Sequence, residues 1–389
     1  MLRSLYSGIS GLRSHQTMLD VTGNNIANVN TAGFKSSTTQ FQDTLSQITQ
    51  GAGGPQTGIG GTNPAQIGLG VQVAGISTNF SQGSAQATGK ATDLMISGDG
   101  FFVTRLGNDT VYTRAGAFDF DADGRLVSGD GKIVQGYSAT NGVINDGGAL
   151  GDITLPLNAA APAQATSSAT VGGNLPSESA VGDKIVRDTK VFDANGLERT
   201  LTLTFTRTTG GWDASATDGN GGATTSLAFT DGKQTGAASL ALNGVTVDLS
   251  GVTGFAALNT TSITDQNGRA AGTLQGFSLA KDGTLMGQFS NGSTVALGRV
   301  ALATFANPGG LEKEGNSGYR ATANSGAATV GAPGSPGIGS LASGSLEMSN
   351  VDLSQEFTNL IVAQRGFQAN ARIITTSDEV LQELTNLKR

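Results

Sequence analysis

Acidic residues carry the one chemistry-bearing pattern with a defined spacing in this chain. Asp119, Asp121 and Asp123 alternate through Asp119-Phe120-Asp121-Ala122-Asp123-Gly124, and Asp130 follows eleven residues after Asp119. Oxygens at alternate positions can wrap a hard cation, and glycine permits the sharp turn of a calcium loop. The match is partial, because the twelfth position holds Asp instead of a bidentate Glu and the flanks read as strands. A plain Asp-Gly turn is therefore the expectation. His15 is the single histidine. Alone in a helix it builds neither a histidine metal cluster nor a Ser-His-Asp triad, so it is expected to be a polar interface or surface residue. Cysteine is absent, which excludes disulfides, thiolate metal sites and cysteine nucleophiles. No glycine-rich segment follows a strand with P-loop or dinucleotide spacing. The remaining carboxylates fall mostly in Asp-Gly and Asp-x-Asn-Gly turns, where turn chemistry alone places them. The sequence nominates no catalytic, cofactor-binding or metal-binding residue, and the expected protein is not an enzyme.

What the chain does repeat is apolar residues at its two ends. Leu346, Leu353, Leu360, Phe367, Ile374 and Leu381 recur every seven residues, and Phe357, Ile361, Ala371 and Leu384 widen that row. A stripe of this period faces one way on an α-helix and needs a covering surface. Ser349 and Asp352 have capping-box spacing, and Asn350 or Asp352 could cap instead. Beyond Asp352 there is no proline, and Gly366 is the one glycine, so the predicted helix runs roughly 50 Å. At the other end Leu5, Leu12, Leu19 and Ile26 recur every seven residues, with Leu2 and Ile9 in the intermediate row. Sustained heptads favour helix-on-helix packing, so the two terminal helices are expected to pair. His15, Gln16, Gln364 and Asp378 interrupt the stripes, which suits a marginal pairing completed by neighbouring copies.

The totals bound the rest. At 389 residues the chain exceeds one core and should divide into two or more domains. Glycine supplies 59 residues, aromatics 5 % and charged residues 14 %, so the reading is of short strands and tight turns rather than large aromatic cores. A net charge of −7 argues against nucleic acid. No apolar run reaches membrane-spanning length, and the N-terminus lacks the continuous apolar core of a cleaved signal peptide. The fold class expected is mixed, mainly β with long terminal α-helices. Phe41 and Leu45 could share a short helical turn, and 51–70 reads as flexible. Strand-like runs follow at Leu94–Ile96, Phe101–Thr104, Val111–Arg114 and Lys132–Val134. A clear hairpin joins Val186–Phe192 to Arg199–Arg207 through Asp193-Ala194-Asn195-Gly196. Glycine-rich joins near 51–70, 141–180 and 326–345 are candidate hinges.

Three motifs carry a resemblance. The first helix ends in Gly23-Asn24-Asn25-Ile26-Ala27-Asn28, followed by Gly33-Phe34-Lys35. The last begins at Ser349-Asn350-Val351-Asp352-Leu353 and contains Ala363-Gln364-Arg365-Gly366-Phe367-Gln368-Ala369-Asn370. Between them lies Leu94-Met95-Ile96-Ser97-Gly98-Asp99-Gly100-Phe101-Phe102-Val103. Together they resemble the bacterial flagellar rod and hook family, with Asn24, Asn25, Asn28, Gly33, Phe34, Asn350, Asp352, Gln364 and Arg365 as signature positions. The resemblance implies a nested chain. A coiled-coil core would use 1–30 and 343–389, a connector 31–70, a discontinuous β-domain 71–145 with 273–342, and an inserted β-domain 146–272. It also implies a self-assembling tube, the curved hook that passes motor torque to the filament as a universal joint. Leu5, Ile9, Leu12, Leu19, Ile26, Leu353, Phe357, Leu360, Phe367, Ile374 and Leu381 would line its helix and subunit interfaces. Implied partners are further copies of the chain, the rod, hook-cap and hook–filament junction proteins, and the flagellar type III export apparatus. The implied location is the extracellular hook, reached without a cleaved signal peptide. A distal rod protein of the same family and a β-rich cell-surface adhesin are the alternatives.

Overall fold

The computed structural model describes residues 2–55, 57–58, 60–140, 142–156, 160–236, 238–256 and 258–386. The chain is mainly β, with two helices, α1 (Leu2–Ala27) and α2 (Leu353–Asn386), one towards each end. It divides into two compact units. The first comprises Met1–Leu155, Ser278–Met286 and Ala296–Arg389, and the second Pro156–Phe277 and Gly287–Val295.

In the first unit, strands from early and late in the chain pair with one another. Leu302 sits opposite Phe102, Tyr319 opposite Tyr112, Leu341 opposite Ile96 and Val300 opposite Gly136. Leu346 lies in the strand Ser345–Glu347, opposite Gln86. It is therefore not the first member of the helical row, because backbone pairing with 85–87 claims it before the chain can turn helical. Phe41 corrects a second expectation. It lies in the strand Ser37–Asp43, opposite Val73 of Val71–Thr78, while Leu45 is 84 % exposed in the link to the next strand. β-branched Thr38 and Thr39 and a partner thirty-two residues away outweigh the helical spacing of the pair.

The few aromatics are concentrated. Phe80, Phe101 and Tyr319 meet edge-to-face with centroids 5.3–5.8 Å apart. Phe305 joins them, 5.8 Å from Phe101 and 4.8 Å from Tyr112. Low aromatic content thus coexists with an aromatic core in the first unit, since edge-to-face packing adds to what area burial alone provides.

The second unit contains two four-stranded sheets. Lys184–Phe192, Glu198–Thr208, Gly211–Thr217 and Gly222–Leu227 form one antiparallel sheet. Ser239–Leu242, Val245–Thr253, Ser168–Asn174 and Ser262–Gln266 form the other, in which Ser168–Asn174 runs parallel to Val245–Thr253. Leu201, Leu203 and Phe205 alternate with threonines along one strand and share a single buried cluster with Val171, Val247 and Leu249. Trp212, the sole tryptophan, is in that cluster at 1 % exposure. The first hairpin turns where the sequence reading placed it. Asp193 Oδ1 accepts from the Asn195 and Leu197 amides, and Gly196 takes φ +81.

Burial pushes the Tyr319 hydroxyl above its ordinary value of 10.0, with the Arg114 charge opposing. The folded chain therefore holds this proton more tightly than the unfolded one. The stability it contributes is complete below pH 10 and falls as the pH rises further, by at most about 1.4 kcal/mol per pH unit. Tyr319→Phe should flatten the loss of stability above pH 10 in denaturant titrations. An unchanged slope would show that this hydroxyl does not govern it.

Candidate assembly site at the paired termini

Both helix boundaries follow from local chemistry. At the end of α1 the Asn28 side-chain amide donates to Asn24 O (2.9 Å) and Asn24 Oδ1 (3.0 Å), and Thr31 Oγ1 donates to Asn28 Oδ1. Gly33 then takes φ +69, and a Cβ there would lie 2.4 Å from Ala115 N, so only glycine fits. At the start of α2, Asp352 is the N-cap. Its Oδ1 accepts from the amides of Ser354 (2.9 Å) and Gln355 (3.3 Å).

The two helices pack along a seam of small residues. A Cβ on Gly8 would sit 3.4 Å from Ile374, one on Gly11 2.7 Å from Asn370 Oδ1, and one on Gly366 2.5 Å from the His15 ring. Ser14, Thr22 and Asn25 on α1, with Glu356 and Ala363 on α2, are also buried. The apolar rows take a secondary position. Leu5, Ile9, Leu12, Leu19 and Ile26 on α1, and Leu360, Phe367, Ile374 and Leu381 on α2, are half-buried. Leu353 and Phe357 are 39 % and 51 % exposed. The side chain of Leu2 lies outside the described residues. Sequence reading missed Gly8, Gly11 and Gly366. The available signal was their position inside helices, where glycine costs roughly 0.5–1 kcal/mol against alanine and so marks a close approach. His15 stands at this seam, its ring 5.8 Å from Phe41.

Beside the seam a polar knot ties both ends of the chain together. Asn25 exchanges two hydrogen bonds with the backbone of Ser37 (2.8 and 3.0 Å) and donates to Glu356 Oε1 at 3.2 Å. Asn350 accepts from the Ser36 amide and donates to Asn79 O, both at 2.8 Å. The fully buried Lys35 ammonium lies 2.6 Å from the equally buried Glu347 carboxylate and donates to Ser81 O. Glu347 also accepts from the Gly83 amide and, at 3.4 Å, from Arg114. Its own carbonyl accepts from the Gly33 amide at 2.8 Å. The Lys313 ammonium lies 5.2 Å from the Phe34 ring centroid and donates to Ser37 Oγ. Burial pushes both Lys35 and Lys313 below the usual lysine value, and at Lys35 the Glu347 carboxylate pulls the other way. The structure thus brings Asn25, Gly33, Phe34 and Asn350 together. Gln364 and Arg365 project from the exposed side of α2.

The acidic run is a hairpin turn between Phe118–Phe120 and Leu126–Ser128. Its carboxylates face cations already present. Asp119 pairs with Lys90, Asp121 and Asp123 with Arg125, and Asp130 with Lys132. Among the described residues no group of three or more acidic, histidine or cysteine side chains could hold a metal ion.

Removing one partner of a buried ion pair leaves an uncompensated charge, which costs about 3–5 kcal/mol. Glu347→Gln, which leaves the Lys35 ammonium and the Arg114 guanidinium buried without their carboxylate, should lower stability by about that amount in urea titrations, and a loss below about 1 kcal/mol would show that this cluster does not anchor the knot.

Comparison with known proteins matches the elements that meet at this site. Residues 5–35 match the flagella basal body rod protein family, 95–172 the D1 domain of the flagellar hook proteins FlgE/F/G, and 342–387 the C-terminal family of the basal body rod proteins FlgEFG. The chain is 39 % identical to the flagellar hook protein FlgE of Borreliella burgdorferi and 37 % to that of Treponema pallidum. It is 37 % identical to the flagellar basal-body rod protein FlgG of Bacillus subtilis. Each alignment covers 100 % of this chain and 100 % of the relative. The chain therefore belongs to the flagellar hook proteins of the bacterial rod and hook family.

Proposed function

We propose that this chain is the structural subunit of a flagellar hook, with copies assembling through their terminal helices into a curved tube that passes motor torque to the filament. One observation carries the reading beyond family membership. The paired helices still expose Leu353, Phe357, Ile361, Val362, Ile373, Val380 and Leu384 at 39–56 %. A solitary molecule leaves this surface in water, whereas packed copies cover it. The core helices would form the inner wall as a coiled coil, with knobs-into-holes contacts between subunits. The nested organisation anticipated from the resemblance fits the strand pairing of early with late segments. The tube would lie outside the cell, be reached through the flagellar export apparatus, and join rod, cap and junction proteins at its ends.

Bending needs subunits that change shape without losing their packing. We place the principal hinge at Leu155–Pro156, where the chain leaves the first unit; the rest of the join anticipated at 141–180 is held on either side, Gly151–Asp152 by pairing in the first unit and Ser168–Asn174 in a sheet of the second. The join at 326–345 is held by pairing of Thr329–Gly331 and Ser340–Ser343 into sheets of the first unit, which argues against free rotation there.

A distal rod protein is the second reading, favoured by the full-length likeness to a rod protein. Electron microscopy separates the two, because a hook tube is curved and flexible and a rod is straight. Deleting 1–30 and 343–389 together should abolish tube formation, and tubes built by that variant would overturn the assembly reading. Helix pairs so poorly covered are marginal alone, so circular dichroism should show helicity rising as the chain polymerises. Equal helicity in monomer and polymer would contradict coupled ordering.

A further inference from the structure

Asn141, Asn195, Asn220, Asn243, Asn267 and Asn291 each precede a glycine. In such a pair the glycine amide nitrogen can attack the asparagine Cγ, since no Cβ stands in its way. Attack requires a side-chain amide free to turn and a glycine N–H free of other bonds. Asn141 lies outside the described residues, and the others sort on these two conditions. Three are held by their side chains. Asn243 Nδ2 donates to both Asp218 carboxylate oxygens, at 3.0 and 3.2 Å. Asn267 Oδ1 accepts from the Ser167 and Ser168 amides, and its Nδ2 donates to Ser167 Oγ. Asn291 Nδ2 donates to Ala270 O, and its Oδ1 accepts from the Ser293 amide. The exposed Asn195 side chain has no partner among the described residues, but the Gly196 amide donates to Asp193 O at 3.0 Å. Asn220 alone of the described five meets both conditions. Its side chain is exposed, and neither it nor the Gly221 amide has a hydrogen-bond partner among the described residues.

We propose that Asn220–Gly221 is a site of spontaneous covalent modification, converting to aspartate and isoaspartate while the fold protects the other described pairs. The Gly221 nitrogen loses its proton and bonds to Asn220 Cγ, the Cγ–Nδ2 bond breaks, and ammonia leaves with that proton. Water then opens the resulting imide ring. Cleavage of the new Cγ–N bond leaves aspartate. Cleavage of the original peptide bond leaves isoaspartate, in which the main chain runs through Cγ and is one methylene longer. The turn has little room for either product. It joins Gly211–Thr217 to Gly222–Leu227, with Thr217 opposite Gly222 and the Asp218 amide donating to Gly221 O. The Asn220 amide donates to Asp218 Oδ1 at 3.0 Å, and the same carboxylate, 2 % exposed, binds Arg199 and Asn243. Asn243 belongs to the hairpin between Ser239–Leu242 and Val245–Thr253, in the other sheet. A new negative charge two residues from Asp218 repels it, and a longer main chain displaces it. Either change loosens the joint between the two sheets of the second unit.

Ageing the full-length chain in warm, mildly alkaline buffer and mapping its peptides by mass spectrometry tests the proposal. Asn220 should convert about fivefold faster than Asn195 and about tenfold or more faster than Asn243, Asn267 and Asn291, the cost of releasing one bond or several before attack. In concentrated urea, where every pair is released, the rates should draw to within about threefold of one another. Conversion in the folded chain no faster at Asn220 than at the held pairs overturns the proposal. So does a lead that persists in urea, because flanking sequence and not the fold would then set it. Trp212, on the strand that enters this turn, supplies a second readout. Its emission should report a lower urea midpoint in converted chains than in fresh ones. Asn220→Gln alters an exposed side chain without a partner, and its midpoint should hold on ageing. An aged parent that keeps its midpoint despite conversion, or an aged Asn220→Gln chain that loses as much as the parent, overturns the link between this turn and the sheets.

Discussion

Everything at the ends of this chain depends on one buried carboxylate, Glu347, and the two cations on it, Lys35 and Arg114. Lys35 and Glu347 are 312 residues apart in sequence and 2.6 Å apart in space, with neither side chain exposed. Taking two charges out of water costs several kcal/mol per ion, so such a pair persists only where further hydrogen bonds satisfy it. Here the Ser81 carbonyl, the Gly83 amide and the Arg114 guanidinium do so. The contribution is geometric. The pair fixes where the chain leaves α1 and where it enters α2, and Asn25 and Asn350 hold the intervening backbone of 36–37 from either side. The helices can then meet at glycine-separated distance along their length.

That constraint explains which parts of the fold could be read from the sequence. Helices reveal themselves through local periodicity, and an N-cap through a single side chain, so both helices and Asp352 were accessible. Leu346 was misplaced because spacing counts residues without regard to the backbone, and the strand it joins is specified by residues 85–87. Phe41 was misplaced for the same reason, since its partner Val73 is remote in sequence. The Lys35–Glu347 contact has no local signature at all, as each residue in isolation reads as an ordinary surface charge. Asn25, Gly33, Phe34 and Asn350 were found through a motif, but the reason for that motif lies in bonds that only the folded chain makes.

Seam and stripe illustrate the same division. Heptad leucines were conspicuous in sequence, yet the closest approach uses Gly8, Gly11 and Gly366. Small residues let backbones draw together and leave the larger ones at the margin of the contact. The leucine rows are therefore only half used within one molecule, and the outer side of α2 is left with an apolar flank. A chain that buried its large residues fully would have no surface left with which to build a polymer.

Trp212 has a different consequence. The only indole of the chain is enclosed in the sandwich of the second unit, far along the sequence from either helix. Its near-ultraviolet emission therefore senses the melting of that sandwich and is blind to ordering at the termini. Far-ultraviolet helicity senses the converse. One molecule thus carries two optical channels that keep the melting of the second unit apart from that of the terminal helices, with no label attached.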